Sequence, residues 1–331
     1  MTKIIKIYIK EIIGMYTIGI DLGGTNIAVG ILNEKGEIIL KGSVPTGAHR
    51  EISFVIDDMA SLCKKLITDA DLSLNDIARI GVASPGTVNP ETGEVVYANN
   101  LRMSHVPLAK MLSERTGISE IHLANDADAA ALGEAVSGAA KGAKNSVMIT
   151  LGTGVGGGII IDGKIYSGFN HAGGELGHTV IEKNGRPCSC GRKGCWEAYS
   201  SATGLINMTK EAMQATPDSK MWELCNGKIE NAGGKTSFQA ARLGDKAGKD
   251  VVDTYISYLA CGITNMINIF QPEILSIGGG VCNEGDYLLD PVKKIIFSEC
   301  YSRDGVPQTE IRIAKLGNDA GIIGAAALCA K

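Results

Sequence analysis

The chain has 331 residues, beyond the roughly 250–300 at which a single hydrophobic core stops growing, so two lobes with a cleft between them are expected. A formal charge of −4 without a long basic block argues against a nucleic-acid or anionic-membrane surface and for small polar ligands. No run approaches the roughly 18 consecutive apolar residues a transmembrane helix needs, and 44% hydrophobic content with only 5% aromatic residues and 43 Gly suits a turn-rich α/β enzyme.

Residues 1–14 interleave Ile with Lys3, Lys6, Lys10 and Glu11, which breaks any signal-peptide core, and no small-residue cleavage site follows. They are either an edge strand or lie upstream of the true start at Met15; in the second case a chain beginning at Met15 folds and works equally well. Next comes a glycine-punctuated turn between two apolar runs, Ile18-Gly19-Ile20-Asp21-Leu22-Gly23-Gly24-Thr25-Asn26. Glycine there permits positive φ and leaves consecutive N–H groups free for an anion, with the Thr25 hydroxyl beside them. A strand over 38–40 and a helix over 51–70 are expected from the apolar spacing, then a buried strand at 80–83 entering the turn Ser84-Pro85-Gly86. A helix over 106–116 leads to a short strand at 121–123 that ends in Asn125-Asp126, and an Ala-rich helix follows over 127–138. A carboxylate at such a junction is where α/β enzymes place reacting groups, although Asn and Asp are also the preferred N-caps.

The second half repeats the theme, which implies two lobes of related architecture. Thr150-Leu151-Gly152-Thr153-Gly154-Val155-Gly156-Gly157-Gly158 opens a hairpin over 146–166. Its Gly152-x-Gly154-x-x-Gly157 matches the dinucleotide fingerprint, but Ile159-Ile160-Ile161 and the turn Asp162-Gly163 follow instead of a helix, so the Rossmann reading fails. Gly234-Lys235-Thr236 lacks the first P-loop glycine, since position 229 is Ile229. Two Gly-Thr turns of one kind, the first carrying an acidic residue, read as a pair of phosphate clamps.

Glu175-Leu176-Gly177-His178 lies in a glycine-flanked loop, and Cys188-x-Cys190-Gly191-x-x-Gly194-Cys195 follows, with His178 ten positions upstream of the first thiol. Three Cys and one His complete a tetrahedral structural zinc site, whereas a disulfide would leave one of the three unpaired. Cys63, Cys225, Cys261, Cys282, Cys300 and Cys329 are scattered, as in a reducing compartment, so a cytoplasmic location is expected. Helices extend to about residue 270, with residues 226–234 a flexible surface loop; a strand over 274–277 then enters the turn Gly278-Gly279-Gly280, and a small-residue helix over 321–330 closes the chain.

The Asp-Leu-Gly-Gly-Thr hairpin, Asn-Asp before an Ala-rich helix, Leu-Gly-Thr-Gly-x-Gly-Gly-Gly, Glu-x-Gly-His, Cys-x-Cys-Gly-x-x-Gly-Cys-x-Glu and Ile-Gly-Gly-Gly-Val together resemble the ROK family of sugar kinases and repressors, most of all its bacterial glucokinases. The likeness runs from about Tyr16 to the C-terminus. It implies an α/β, actin-like ATPase fold of two ribonuclease-H-like lobes, with ATP across the hinge and the sugar beside it. The lobes would be residues 1–123, joined by the C-terminal helix at about 317–331, and residues 124–316, which include a zinc-binding loop at 175–197.

By the same resemblance, Asp126 is the general base on the sugar hydroxyl, and Asn100, Asn125, Glu175, His178 and Glu197 contact the other hydroxyls. Asp21 orients hydrated Mg²⁺. Gly23, Gly24, Thr25, Gly152, Thr153 and Gly154 hold the ATP phosphates, with Gly279 and Gly280 near the nucleoside. His178, Cys188, Cys190 and Cys195 ligate one structural Zn²⁺. The implied reaction is ATP-dependent phosphorylation of glucose at the 6-hydroxyl by a homodimer or higher homo-oligomer, with no nucleic-acid or membrane partner. A kinase for N-acetylmannosamine, N-acetylglucosamine, allose or fructose would use the same frame. The family's repressors carry a helix-turn-helix ahead of the first hairpin, which the residues before Tyr16 are too few to form. One departure concerns sugar choice, because Arg102 and Met103 follow Leu101 where an aromatic residue is often found. The hairpins lie apart from the Cys loop in the chain, so metal removal is expected to weaken sugar binding more than ATP binding.

Overall fold

A computed structural model describes residues 16–304 and 306–328, so the expectations for residues 1–14 and for the last residues of the C-terminal helix lie outside the described residues. Strands β1 (Tyr16–Leu22), β2 (Asn26–Leu32) and β3 (Ile38–Pro45) form an antiparallel meander, and α1 (Ile52–Asp69) follows. After β4 (Ile77–Ser84) come three short strands, β5 (Thr87–Asn89), β6 (Glu94–Ala98) and β7 (Met103–Val106). Then α2 (Leu108–Thr116), β8 (Ile121–Asn125) and α3 (Asp126–Ser137) complete this part. The first sheet is ordered β3-β2-β1-β4-β8, with β1, β4 and β8 parallel.

The second part begins with β9 (Ser146–Leu151), β10 (Val155–Ile161) and β11 (Lys164–Ile165). Past the Cys loop lie α4 (Glu197–Ser200), α5 (Ala202–Ala215), α6 (Lys220–Leu224), α7 (Thr236–Arg242) and α8 (Lys246–Phe270). Then follow β12 (Ile274–Gly278), α9 (Asp286–Glu299), β13 (Glu310–Ile313) and α10 (Ala320–Ala327). Its sheet is ordered β11-β10-β9-β12-β13, again with the last three positions parallel. The two five-stranded sheets therefore share one strand order, the duplication that the repeated hairpins imply.

The chain divides into two compact units, Met1–Lys144 with Gly158–Gly174 and Lys315–Lys331, and Asn145–Gly157 with Glu175–Ala314. Helix α3 falls in the first unit, where a cut at 123/124 would have placed it in the second, because it packs along α10. That packing needs small residues. A Cβ on Gly324 would stand 1.6 Å from the Ala129 carbonyl oxygen, and one on Gly81 of β4 would stand 1.7 Å from that of Ala325. The core of the first unit is the inward face of β1 and β2 against Val55, Ile56, Met59, Leu62, Cys63, Leu66 and Ile67 of α1, which recur at helical spacing and are buried. Each large side chain of this set contributes roughly 1.5–3 kcal/mol by leaving water.

Several elements differ from expectation for local reasons. Pro107 blocks the start of α2 at 106, and Val106 instead pairs with Val95 in the small three-stranded sheet. Residues 226–234 hold a 3-10 turn at Ile229–Asn231, pinned by Asn231 Nδ2 donating to the Cys225 carbonyl at 3.1 Å, rather than a flexible loop. Among the described residues, no helix is long and apolar enough to cross a membrane.

Candidate active site

In the first unit, Asp21 sits at the end of β1, just before the Gly23-Gly24-Thr25 turn. Gly321 of α10 approaches it so closely that a Cβ there would lie 2.6 Å from Asp21 Oδ2. Burial pushes the Asp21 carboxyl up to about 6, and the negative charge of Asp126 adds to the rise. Asp126 opens α3. Its side chain reaches solvent on one side, yet protein crowds it from the others, and burial raises its pKa against the opposing hydrogen bonds from the Ala127 N–H and Asn125. Two carboxyls that each favour the proton more than usual therefore lie in a single unit, within electrostatic reach of one another.

Asn125 is the N-cap of α3, its Oδ1 accepting from the Ala127 and Asp128 N–H groups at 2.8 and 3.3 Å. Its Nδ2 donates to the Gly86 carbonyl at 3.0 Å. The cap reading of the Asn125-Asp126 junction thus falls to Asn125. Asn100 is exposed in a 3-10 turn, with Nδ2 3.4 Å from where a Cβ on Gly24 would stand. The first hairpin and this amide belong to one surface.

The glycines of the two hairpins are used differently from expectation. None of Gly23, Gly24, Gly152 and Gly154 has positive φ. Close approach explains two of them: a Cβ on Gly23 would lie 2.9 Å from the Asn26 carbonyl oxygen, and one on Gly154 would lie 2.3 Å from Glu197 Oε2. Gly152 and Gly280 face open space, which leaves room for a ligand, while Gly279 combines φ +102° with a Cβ position 2.2 Å from the Leu151 carbonyl oxygen.

In the second unit, Glu197 at the start of α4 touches both the hairpin and the Cys loop. Its Oε2 accepts from the Val155 N–H at 3.1 Å, and its Oε1 accepts from the Ser189 hydroxyl at 3.3 Å and the Cys188 thiol at 3.6 Å. Loop and hairpin are distant in sequence but joined through one carboxylate. Glu175 is exposed, and its carboxylate accepts no hydrogen bond among the described residues. Its carbonyl receives the His178 N–H at 3.1 Å, which closes the turn Leu176–His178.

The donor atoms of His178, Cys188, Cys190 and Cys195 all lie within 4.8 Å of one another. Two thiolates each about 2.3 Å from a tetrahedral ion stand about 3.8 Å apart, whereas a disulfide needs about 2.05 Å. Cys190 Sγ and Cys195 Sγ are 3.7 Å apart, which fits a shared metal and excludes a bond between them. His178 Nδ1 lies 3.6 Å from Cys188 Sγ. A backbone hydrogen bond at Arg192 lowers the Cys190 pKa, while burial pushes Cys195 up to about 12, with repulsion from Cys188 and Cys190 adding to the rise. Trp196 anchors the loop from below, fully buried, with Nε1 donating to the Tyr258 carbonyl at 3.1 Å.

Two hydroxyls that motif reading did not single out also reach the hairpins. Thr46 Oγ1 donates to the Gly23 carbonyl at 2.7 Å, and Thr203 Oγ1 donates to the Thr153 carbonyl at 2.8 Å. Neither lies in a motif, and no local pattern announces a partner 23 or 50 residues away.

The chain is 40% identical over 309 residues to the glucokinase of Halalkalibacterium halodurans, covering 93% of this chain and 92% of that one. It is 35% identical to the glucokinase of Streptomyces coelicolor, covering 94% and 96%. The structure is similar to that of a ROK family glucokinase from Streptomyces griseus in complex with glucose and AMPPNP, with TM-score 0.78 and 33% identity over 95% of this chain and 98% of that one. Such neighbours carry the actin-like ATPase fold, which is the fold of this chain. With the ROK family model matching residues 17–331, nearly everything the structure describes, the chain belongs to the ROK family.

Proposed function

We infer that the protein is an ATP-dependent hexose kinase that phosphorylates glucose at the 6-hydroxyl. The observation that carries this is the Asp126 carboxyl at the head of α3, with raised proton affinity and next to the Asp21 hairpin, in a chain 40% identical to a glucokinase. As the bond between the sugar oxygen and the γ-phosphorus forms, the bond to the β-γ bridging oxygen breaks and ADP leaves. The hydroxyl proton passes to an Asp126 carboxylate oxygen. Because the transition state is largely loose, positioning and charge neutralisation supply most of the acceleration.

In the first unit, Gly23, Gly24 and Thr25 would hold phosphate and Asn100 a sugar hydroxyl. Asp21 and Asp126 form a negative pair that a hydrated Mg²⁺ suits; when bound, the ion neutralises phosphate charge, and Asp21 would orient its water shell. In the second unit, Gly152, Thr153 and Gly154 would serve phosphate, Gly279 and Gly280 the nucleoside, and Glu175 and His178 sugar hydroxyls. Asn125 and Glu197 already spend most of their polar atoms on protein partners, so a sugar contact would use the remaining Glu197 Oε2 lone pair and, on Asn125, the N–H now turned to Asp126. His178, Cys188, Cys190 and Cys195 would hold one zinc ion. The eight free thiols among the described residues support a cytoplasmic setting. A homodimer or higher homo-oligomer is the assembly we propose.

A coupled assay of ADP release with ATP and a panel of glucose, mannose, allose, fructose, N-acetylglucosamine and N-acetylmannosamine tests the substrate. Glucose should give the highest kcat/KM, and a tenfold preference for an N-acetylhexosamine would replace it. The raised carboxyls also set a pH profile. Asp21 must be ionised to attract the cation and Asp126 to accept the proton, so kcat/KM should rise with pH, with the Asp21 step at about 6 and the Asp126 step above the ordinary carboxylate range. A profile flat down to pH 5 would remove both groups from these roles.

A further inference from the structure

We propose that Thr46 and Thr203 are positioning residues for phosphoryl transfer, each aiming a hairpin N–H at the nucleotide by holding the carbonyl of the same peptide unit. This rests on the reading of the two hairpins as phosphate clamps. In a planar trans peptide the C=O of one residue and the N–H of the next point in opposite directions, and the chain has no cis peptide among the described residues. Fixing the Gly23 carbonyl therefore fixes the Gly24 N–H, and fixing the Thr153 carbonyl fixes the Gly154 N–H.

The hydrogen bonds are arranged to do this. Thr46 follows directly on β3 and is fully buried. Its hydroxyl holds the Gly23 carbonyl at 2.7 Å and its N–H holds the Thr25 carbonyl at 2.8 Å, so one residue grips the turn from behind at two points. The Arg50 guanidinium in turn donates to the Thr46 carbonyl at 2.8 Å and pairs with Asp58 of α1 at 2.6 Å, which ties the grip to a helix. In the second unit the first turn of α5 does the same for the other hairpin. The Thr203 hydroxyl holds the Thr153 carbonyl at 2.8 Å, and the Ala202 N–H holds the Gly152 carbonyl at 2.8 Å. The N–H groups opposite the Gly23, Gly152 and Thr153 carbonyls, on Gly24, Thr153 and Gly154, donate to no carbonyl among the described residues. By contrast, the Gly23 and Gly152 N–H groups, which face inward, are spent on the Asn26 and Gly154 carbonyls at 3.0 Å each. Inward donors are used up and outward donors are held in place.

A preorganised donor costs the enzyme no reorientation when phosphate arrives, so losing the grip is read as weaker nucleotide binding. Thr46→Val keeps the volume of the buried side chain and its backbone N–H but removes the hydroxyl. Its KM for ATP should rise about five- to tenfold, the range of one net hydrogen bond, with KM for glucose within about twofold and kcat little changed. Thr46→Ser should restore the wild-type KM for ATP. Thr203→Val, at an exposed helix position that folding tolerates, should show the same selective rise by itself. The double variant should multiply the two effects, since the hydroxyls serve different hairpins. A merely structural role would lower the melting temperature and the active fraction, leaving KM for ATP alone.

Gly24→Val, where the only neighbour of a new Cβ is the Asn100 amide, blocks the place phosphate would occupy. If Gly24→Val binds AMPPNP like wild type in isothermal titration, the clamp reading itself falls and the positioning proposal with it. If Gly24→Val loses AMPPNP while Thr46→Val and Thr203→Val keep the wild-type KM for ATP, the clamp stands and the positioning role is overturned. Should Thr46→Val fail to fold, Thr203→Val alone decides.

Discussion

Asp126→Asn should lower kcat by about 10²- to 10⁴-fold while leaving the glucose Kd within about tenfold of wild type. The amide still hydrogen-bonds the 6-hydroxyl but takes no proton. Its own position is secure, because the Asn125 cap and the Gly86 carbonyl hold the start of α3, and the side-chain oxygen of an Asn at 126 still accepts from the Ala127 N–H as the carboxylate does. The same substitution should raise stability. Both Asp126 and Asp21 have folded-state pKa values above their ordinary ones, so the folded chain binds protons more tightly than the unfolded chain. Their contribution is therefore favourable at low pH and is lost as pH rises through about 6 for Asp21. At pH 7.5, above about 6, Asp21 is ionised, and negative charge on Asp126 repels it. Removing one charge should increase Tm there, with the gain shrinking as the buffer approaches pH 5. Stopped activity, near-normal glucose titration and a higher Tm are three separate readouts. A variant that retains more than about a tenth of wild-type kcat would take the base role from Asp126.

The duplicated hairpins, the Asn125-Asp126 junction and the Cys loop were all legible in sequence, because each is short-range: a turn needs its glycines, a cap its Asn, a metal its thiols within a few residues. What was not legible is long-range. The tie from Glu197 to Val155 spans 42 positions and appears only when α4 is laid beside the second hairpin. The same is true of Thr46 and Thr203. Some whole elements also escaped. β5 has three residues, too few to show a period, and α9 begins after the positive-φ Gly285 and carries Pro291 in its second turn, a residue that reads as a breaker. The Asp21 environment is a third kind of omission. Burial raises its pKa, with the charge of Asp126 adding to the rise, and Gly321, 300 residues away in sequence, comes close to the carboxyl.

Removing the metal should weaken glucose binding by about tenfold or more and nucleotide binding by a smaller factor, about two- to threefold. The larger effect runs through His178. Its Nδ1 lies 3.6 Å from Cys188 Sγ, so a zinc ion held by the cluster would take that nitrogen and leave the ring proton on Nε2. Tautomer and ring orientation are then both set for donation to a sugar hydroxyl, while Arg192 holds the His178 carbonyl at 3.0 Å. Without the ion the ring is free to exchange tautomers and to turn. The smaller effect runs through Glu197, which accepts from Cys188 on one oxygen and from the Val155 N–H on the other, so a loosened loop loosens one end of the second hairpin. Elemental analysis should find close to one zinc per chain before treatment. Titration with glucose and with AMPPNP, before and after exhaustive chelation and again for Cys190→Ser, should separate the two effects, with circular dichroism confirming that Trp196 and its helices remain folded. Glucose affinity unchanged in a folded, zinc-free protein would sink the shared-histidine idea. Equal losses for both ligands would instead place the coupling in Glu197 rather than in His178.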